Sequence, residues 1–220
     1  MIWDWGYALD ILPTLLRAFV QYTLVATVLG TILAALLGLV FAVVRQAAVP
    51  VLTQVLTVFI EVVRSTPLPL QLFILFYVLP GFGPTLEPMT AGVLALGVHY
   101  ACFYVEVYRA GIDAVPTGQW EAAAALSLSR RFVWTDVVLP QAIRKVLPSL
   151  GNYAVSMFKE TPFLYLITVP ELLFTAQTTI GGSTLNYLEP LTLAGLIFLA
   201  ASYPTALALR RLERRLATPA

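Results

Sequence analysis

Charge is scarce in this sequence: Asp, Glu, Lys and Arg make up 11% of its 220 residues, against about 25% in an average soluble domain. With 59% hydrophobic residues and a mean hydropathy of +0.84, the chain cannot cover its own surface in water. That excludes an ordinary soluble globule and makes lipid the solvent for most of its surface. Cysteine is nearly absent too. The lone Cys102 can form no intrachain disulfide and says nothing of compartment. One histidine and one cysteine leave little from which to build a metal centre or a nucleophilic site. A net charge of +1 gives no support for nucleic-acid binding. Internal repeats and low-complexity tracts are missing, so the inverted-repeat design of many secondary carriers finds no support. The segment Met1 to Asp10 is acidic and aromatic, without the basic stretch and cleavage site of a secretory leader. The N-terminus is therefore expected to be retained.

What is present is a set of long apolar runs. A bilayer core takes about 20 apolar helical residues to cross, and the charged residues cut the chain into such lengths. Ala18 to Val44 reads as a first span. Arg64 to Glu87 brackets a second, with Pro67 and Pro69 at its start and Pro80 at its end. Glu87 to Glu106 brackets a third, Leu147 to Val169 a fourth interrupted by Lys159, Glu160 and Pro162, and Glu189 to Arg210 a fifth. The prolines suit helix ends, where a missing N–H costs little. With the C-terminus in the cytoplasm, eleven basic residues fall on that side: Arg45, Arg64, Arg109, Arg130, Arg131, Arg144, Lys145, Arg210, Arg211, Arg214 and Arg215. The outer side then keeps Arg17 alone. This bias predicts N-out, C-in. Turn signals fall outside, at Pro80-Gly81-Phe82-Gly83-Pro84 and Gly181-Gly182-Ser183. The expected fold is an all-α integral membrane protein of about five transmembrane helices. It forms one domain, 1–220, with a hydrophilic cytoplasmic loop over 112–145.

That loop holds the most specific pattern. Thr117 can cap a helix beginning at Gly118. Glu121 lies in its first turns, where negative charge favours the dipole. Four alanines, Ala122 to Ala125, give high helix propensity and a low profile that another protein can approach. A second short helix is expected around Phe132, Val133 and Trp134, broken at Leu139-Pro140. Alone, such a hairpin fits the membrane surface better than a docking role. The full spacing shifts the balance. Glu121-Ala122-Ala123, then Ser127, then Val137-Val138-Leu139-Pro140 resembles the EAA loop of binding-protein-dependent ABC importer permeases. That pattern runs EAA, three residues, Gly, nine residues, Ile, one residue, Leu-Pro. Here Ser127 stands for the glycine and Val137 for the isoleucine.

Arg64-Ser65-Thr66-Pro67-Leu68-Pro69-Leu70-Gln71, Glu106-Val107-Tyr108-Arg109-Ala110-Gly111-Ile112 and Leu139-Pro140-Gln141-Ala142 extend the resemblance to the polar amino-acid (histidine and glutamine) permeases. Ile2-Trp3-Asp4-Trp5, Phe158-Lys159-Glu160-Thr161-Pro162 and Tyr187-Leu188-Glu189-Pro190-Leu191-Thr192 look like the ectoine and hydroxyectoine branch, so the resemblance implies ectoine or hydroxyectoine as the favoured solute, with a polar amino acid such as glutamine, histidine or arginine as the alternative. The resemblance implies the ABC type I importer permease fold, in the bacterial inner membrane. It also implies a second permease subunit, two ATP-binding subunits and an extracytoplasmic solute-binding protein. The coupling contact would be made by Glu121, Ala122, Ala123, Ser127, Leu139 and Pro140. No GxxxxGK[ST] phosphate cradle is present, so this subunit is expected to be no enzyme itself, to carry no cofactor and no metal, and to rely on partners for ATP hydrolysis.

Ionisable residues at membrane depth are costly and serve as functional candidates. His99, Phe103 and Glu106 share one face of the third span, at i, i+4 and i+7. Tyr100, Tyr104 and Tyr108 form a neighbouring stripe, read chiefly as packing. Glu106 either meets the cationic end of a zwitterion or pairs with Arg109 one turn on. Asn152, Ser156, Lys159 and Glu160 form a polar stripe on the fourth span, beside the helix-breaking Pro162. Lys159 either receives a substrate carboxylate or pairs within the bundle, with Glu106 one possible partner. Glu61 and Arg64 read as a local pair, and Arg210, Arg211, Arg214 and Arg215 as an anchor to anionic lipid. Three other readings stand beside the importer: an ion-coupled secondary carrier, a membrane enzyme, and a subunit with no path of its own.

Overall fold

Proline and acidic residues set where the helices begin. The computed structural model describes residues 3–47, 49–182 and 186–216. Ile2 and Ser183, which the sequence reading used, lie outside them. Helix α1 (Trp5–Gln46) opens on Asp4, whose carboxylate accepts from the Tyr7 N–H at 3.1 Å. It therefore starts well before the expected Ala18. Arg17 is carried within the helix, because one exposed charge does not end a helix whereas an N-cap starts one. At 42 residues and 1.5 Å each the helix reaches roughly 63 Å, about twice a bilayer core. It extends beyond the crossing. A π turn, Phe19–Leu24, interrupts it.

Helix α2 (Pro50–Ser65) and helix α3 (Leu68–Phe82) meet at 109°. Pro67 forces the break: its ring cannot continue a helix and holds Thr66 extended (φ −107°, ψ 140°). The expected second span is thus one arm of a bent pair. Helix α3 ends in a 3₁₀ turn with Gly83 at φ 110°, inside the predicted Pro-Gly turn. Helix α4 (Pro88–Asp113) runs two turns past Glu106. Helix α5 (Thr117–Ala125) starts at Thr117 itself, with Pro116 at the cap and no side-chain cap bond, so Thr117 does not cap as expected.

Helix α6 (Arg130–Ile167) corrects a second expectation. Leu139-Pro140 does not break the chain into a short helix and a span. A π turn over Val133–Val138 leads directly into regular helix over Leu139–Glu160. The wider turn accommodates the N–H that Pro140 lacks. Pro162 has the expected effect, tightening the last turns to 3₁₀ over Thr161–Ile167. After Thr168, in the left-handed region at φ 61°, helix α7 (Leu172–Gly181) departs at 53°. This element was not expected. Helix α8 (Leu188–Leu216) closes the chain. Among the described residues there are three unbroken helices long and apolar enough to cross a membrane, or five spans if each bent pair crosses once.

The bundle is organised around α1 and α4, which run parallel and pack at backbone distance. A Cβ on Gly38 would sit 2.7 Å from the Tyr104 Cβ, and one on Gly30 3.4 Å from the Leu96 Cβ. Small residues let the helices approach closely enough for Tyr108 to donate to the Ala35 carbonyl at 3.1 Å. Without a hydrophobic drive between helices in lipid, such packing and interhelical bonds hold the pair. Tyr104, buried, donates to the Leu150 carbonyl at 3.0 Å and joins α4 to α6.

Candidate functional site

The hairpin comes first because local sequence explains it. At the end of α5 the Leu128 N–H bonds the Ala123 carbonyl at 3.1 Å, and the Ser127 N–H bonds Ala124 at 3.0 Å. These are the two bonds of a Schellman cap, which requires its C′ residue in the left-handed region. That residue is Ser127, at φ 52°. The geometry that glycine adopts freely is therefore kept by serine at a steric cost. Ser129 then caps the start of α6, accepting from the Phe132 N–H at 3.4 Å. Trp120 and Trp134 meet edge to face at 5.5 Å, and Val115, Val138 and Ala142 form a small buried core beneath them. Gln141 Nε2 donates to Gln119 Oε1 at 3.3 Å. Of the six residues assigned to the loop, Ala123 is buried, while Glu121, Ala122, Ser127, Leu139 and Pro140 are exposed.

The candidate path residues form two groups. His99 is buried at mid-bundle, with Nδ1 3.1 Å from Gln71 Oε1. Gln71 Nε2 in turn lies 2.8 Å from the Val63 carbonyl, 3.1 Å from the Thr66 carbonyl and 2.9 Å from Thr66 Oγ1. One side chain thus satisfies the carbonyls freed at the α2–α3 break and ties them to α4, as backbone at membrane depth requires. Phe103 stacks between His99 (5.2 Å) and Tyr153 (5.6 Å). The guanidinium of Arg64 lies over its ring at 5.3 Å. The Glu61–Arg64 pair exists at 3.6 Å, but Arg64 is more than half of a local pair, since it also faces this aromatic cluster. Sequence reasoning missed Arg64 and Gln71. Both stand in the Arg-Ser-Thr-Pro segment, where a charge before a proline break was the available signal.

The polar stripe on α6 divides. Asn152, Ser156 and Lys159 are exposed along one face. Glu160, about a quarter-turn round the helix from them, points inward beside the Tyr100 hydroxyl. Its Oε2 is buried and has no hydrogen-bond partner among the described residues. Asn152 donates to Glu213 Oε1 on α8 at 2.7 Å. No ion pair joins Lys159 to Glu106 among the described residues. Glu106 instead sits in a triad, accepting from Arg45 Nη1 at 2.6 Å and from Arg109 Nη2 at 2.7 Å. The pairing with Arg109 is as the alternative reading had it, and Arg45 is an addition that spacing alone could not reveal. Glu106 is therefore apart from the His99–Phe103 cluster, one helical turn below it.

Glu171 was also missed. It is fully buried and caps α7, its two oxygens accepting from Leu173 N (2.9 Å) and Phe174 N (2.7 Å). The adjacent Leu172 N–H goes to Thr23 Oγ1 at 3.2 Å, in the π turn of α1.

An all-helical bundle with three to five apolar spans, broken helix pairs and a capped hairpin defines a multi-pass membrane protein. The chain belongs to the family of binding-protein-dependent transport system inner membrane components, whose pattern it matches over residues 34–218. It is 44% identical over 202 residues to a probable amino-acid ABC transporter permease, y4tG, of Sinorhizobium fredii, covering 90% of this chain and 87% of that one. It is 35% identical to the L-cystine transport permease TcyB of Bacillus subtilis, over 92% and 86% of the two chains. A crystal structure of an amino acid ABC transporter with histidines superposes with a TM-score of 0.90 at 32% identity, over 98% of this chain and all of that one. The protein is a permease subunit of an ABC importer, multi-pass in the inner membrane and not itself an enzyme.

Proposed function

We propose that this permease carries a small zwitterionic solute, a polar amino acid, inward. The observation that carries the reading is the pairing of Arg64 and Glu160 across one aromatic cluster. Arg64 over Phe103 offers a receptor for a carboxylate. Glu160, with a buried unpartnered oxygen beside Tyr100, offers one for an ammonium or amidinium group. Phe103 and Tyr153 supply ring faces between them. His99 holds the broken helix through Gln71 and acts as a positioning group, and Lys159, Ser156 and Asn152 line the exposed face that a second permease subunit would close. Glu106, held by two arginines, lies where the solute would leave.

The names of the relatives favour an amino acid. Ectoine, itself an amidinium carboxylate, is the second reading, favoured by the Phe158-Lys159-Glu160-Thr161-Pro162 segment. The whole chain would act as one permease domain with its N-terminus outside, and the loop over 112–145 would meet two ATP-binding subunits through Glu121, Ala122, Ala123, Ser127, Leu139 and Pro140. An extracytoplasmic binding protein would deliver the solute. The test is uptake into liposomes holding the permease with its ATP-binding subunits, binding protein outside, with and without internal ATP. ATP-dependent uptake of a labelled amino acid, lost in Glu121→Lys with assembly intact, is the expected result. Uptake competed only by ectoine would change the solute and keep the mechanism. Uptake that follows an ion gradient without ATP would overturn it.

A further inference from the structure

At the arginine-rich end of the bundle the termini of α1 and α4 and the first turns of α2 leave a pocket of ≈ 220 Å³. Ala42, Val105 and Ile112 form its floor, and its polar wall is Arg45, Gln46, Thr53, Thr57, Arg109 and Asp113. The pocket lies on the other side of the arginines from Glu106, which is not among the lining residues. Arg45 spends only Nη1 on Glu106, leaving Nε and Nη2, and Arg109 spends Nε and Nη2, leaving Nη1. Thr53 Oγ1 is buried in this wall with no hydrogen-bond partner among the described residues. An unsatisfied hydroxyl in such a place costs free energy unless a ligand or water meets it. Asp113 stands opposite in charge to the guanidinium groups and takes part in no ion pair among the described residues.

Both signs of charge in one small pocket select a ligand carrying both. The surroundings say where it comes from. Val43 on α1, next to Ala42, and Leu52 on α2, next to Thr53, are exposed apolar side chains flanking the lining residues of the pocket. They present hydrocarbon to the bilayer directly beside a polar cup, the arrangement that an acyl chain and its headgroup would need. We propose that this pocket binds the headgroup of a zwitterionic aminophospholipid, with the phosphate on Arg45, Arg109 and Thr53 and the ammonium on Asp113. The two arginines meet the phosphate through several N–H donors, and Asp113 excludes lipids that carry the phosphate alone. With the N-terminus outside, as in the proposed function on which this placement rests, the pocket lies at the inner leaflet. The lipid would wedge α2 against α1 and α4, bracing the bent arm that leads into the Arg64 cluster.

The test is native mass spectrometry of the complex purified with its ATP-binding subunits, after equal additions of dioleoyl phosphatidylethanolamine, phosphatidylcholine and phosphatidylglycerol. The expected result is retention of phosphatidylethanolamine several-fold above the other two. Asp113→Asn should bring it down to the phosphatidylglycerol level, and Thr53→Val should weaken it with the melting temperature unchanged. Excess glycerophosphoethanolamine should compete. Equal retention of all three lipids, indifference to Asp113→Asn, or displacement by a free amino acid in place of the soluble headgroup would each overturn the assignment. None of these readouts involves uptake, so failure here leaves the import reading standing, and failure of import leaves this site standing.

Discussion

Single residues carry two of the strained or buried features of this fold. Ser127 occupies a position where the Schellman bonds demand a left-handed backbone, and the cost falls on its Cβ. Replacing it by glycine should be neutral within about 0.5 kcal/mol, because relief of the strain is offset by the freer unfolded chain. Valine, branched at Cβ, should cost about 1–2 kcal/mol and loosen the hairpin. Thermal melts of the assembled complex would show the order Gly ≈ Ser > Val, and equal stability of all three would mean the cap is not under strain. Glu171 makes the complementary case. Its carboxylate is the partner of two N–H groups in the interior, so Glu171→Ala should cost about 1–3 kcal/mol. Glu171→Gln, which keeps one acceptor, should recover part of it. A melting temperature unmoved by alanine would show that water serves those groups instead.

At the scale of elements, the α2–α3 break is held by side chains and not by helix bonds. Gln71 reaches back over eight residues to the Val63 carbonyl and forward in space to His99. Gln71→Leu would strand the Thr66 carbonyl and one His99 nitrogen, and leave the Val63 carbonyl only the Thr66 hydroxyl at 3.2 Å. The expected loss is about 1–3 kcal/mol, with a rise in the solute KM because Arg64 and Phe103 sit on the two elements this bridge joins. His99→Ala should reproduce the KM effect more weakly, since the carbonyl bonds of Gln71 survive. A Gln71→Leu variant that kept both stability and KM would remove the bridge from the account. The break itself was legible: Pro67 and Pro69 stand in the sequence, and Pro162 marked the other bend. The angle was not, because 109° depends on Gln71 joining the freed carbonyls to His99, 28 residues further along the chain. Nor was α7, whose cap Glu171 looks in sequence like one more charge after an apolar run.

The whole molecule was legible in outline because lipid imposes a coarse rule: apolar lengths, charges at the ends, positive residues on one side. The hairpin was legible because its spacing is specific, from Glu121 through Ser127 to Pro140. What was hidden were contacts between distant segments. Arg45 to Glu106 spans 61 residues and Asn152 to Glu213 another 61, and nothing in local periodicity points to either. The longest of these joins the first helix to the last: the Asp4 N–H donates to Glu189 Oε1 at 2.9 Å across 185 positions, with Glu189 buried. Together with the close α1–α4 packing at Gly30 and Gly38, this tie makes α1, α4 and α8 one unit at the end away from the hairpin. In the proposed import cycle the chain would then move as one body, without sliding α1 past α8. Cysteines placed at positions 4 and 189 and oxidised should therefore leave ATP-dependent uptake within about twofold of the reduced protein, a change in rate worth only about 0.4 kcal/mol. Cys102 is buried and free, so it does not compete for the new bond. A cross-link that abolished uptake and was rescued by reductant would show that α1 and α8 part during the cycle, and the rigid unit would have to be redrawn around α1 and α4 alone.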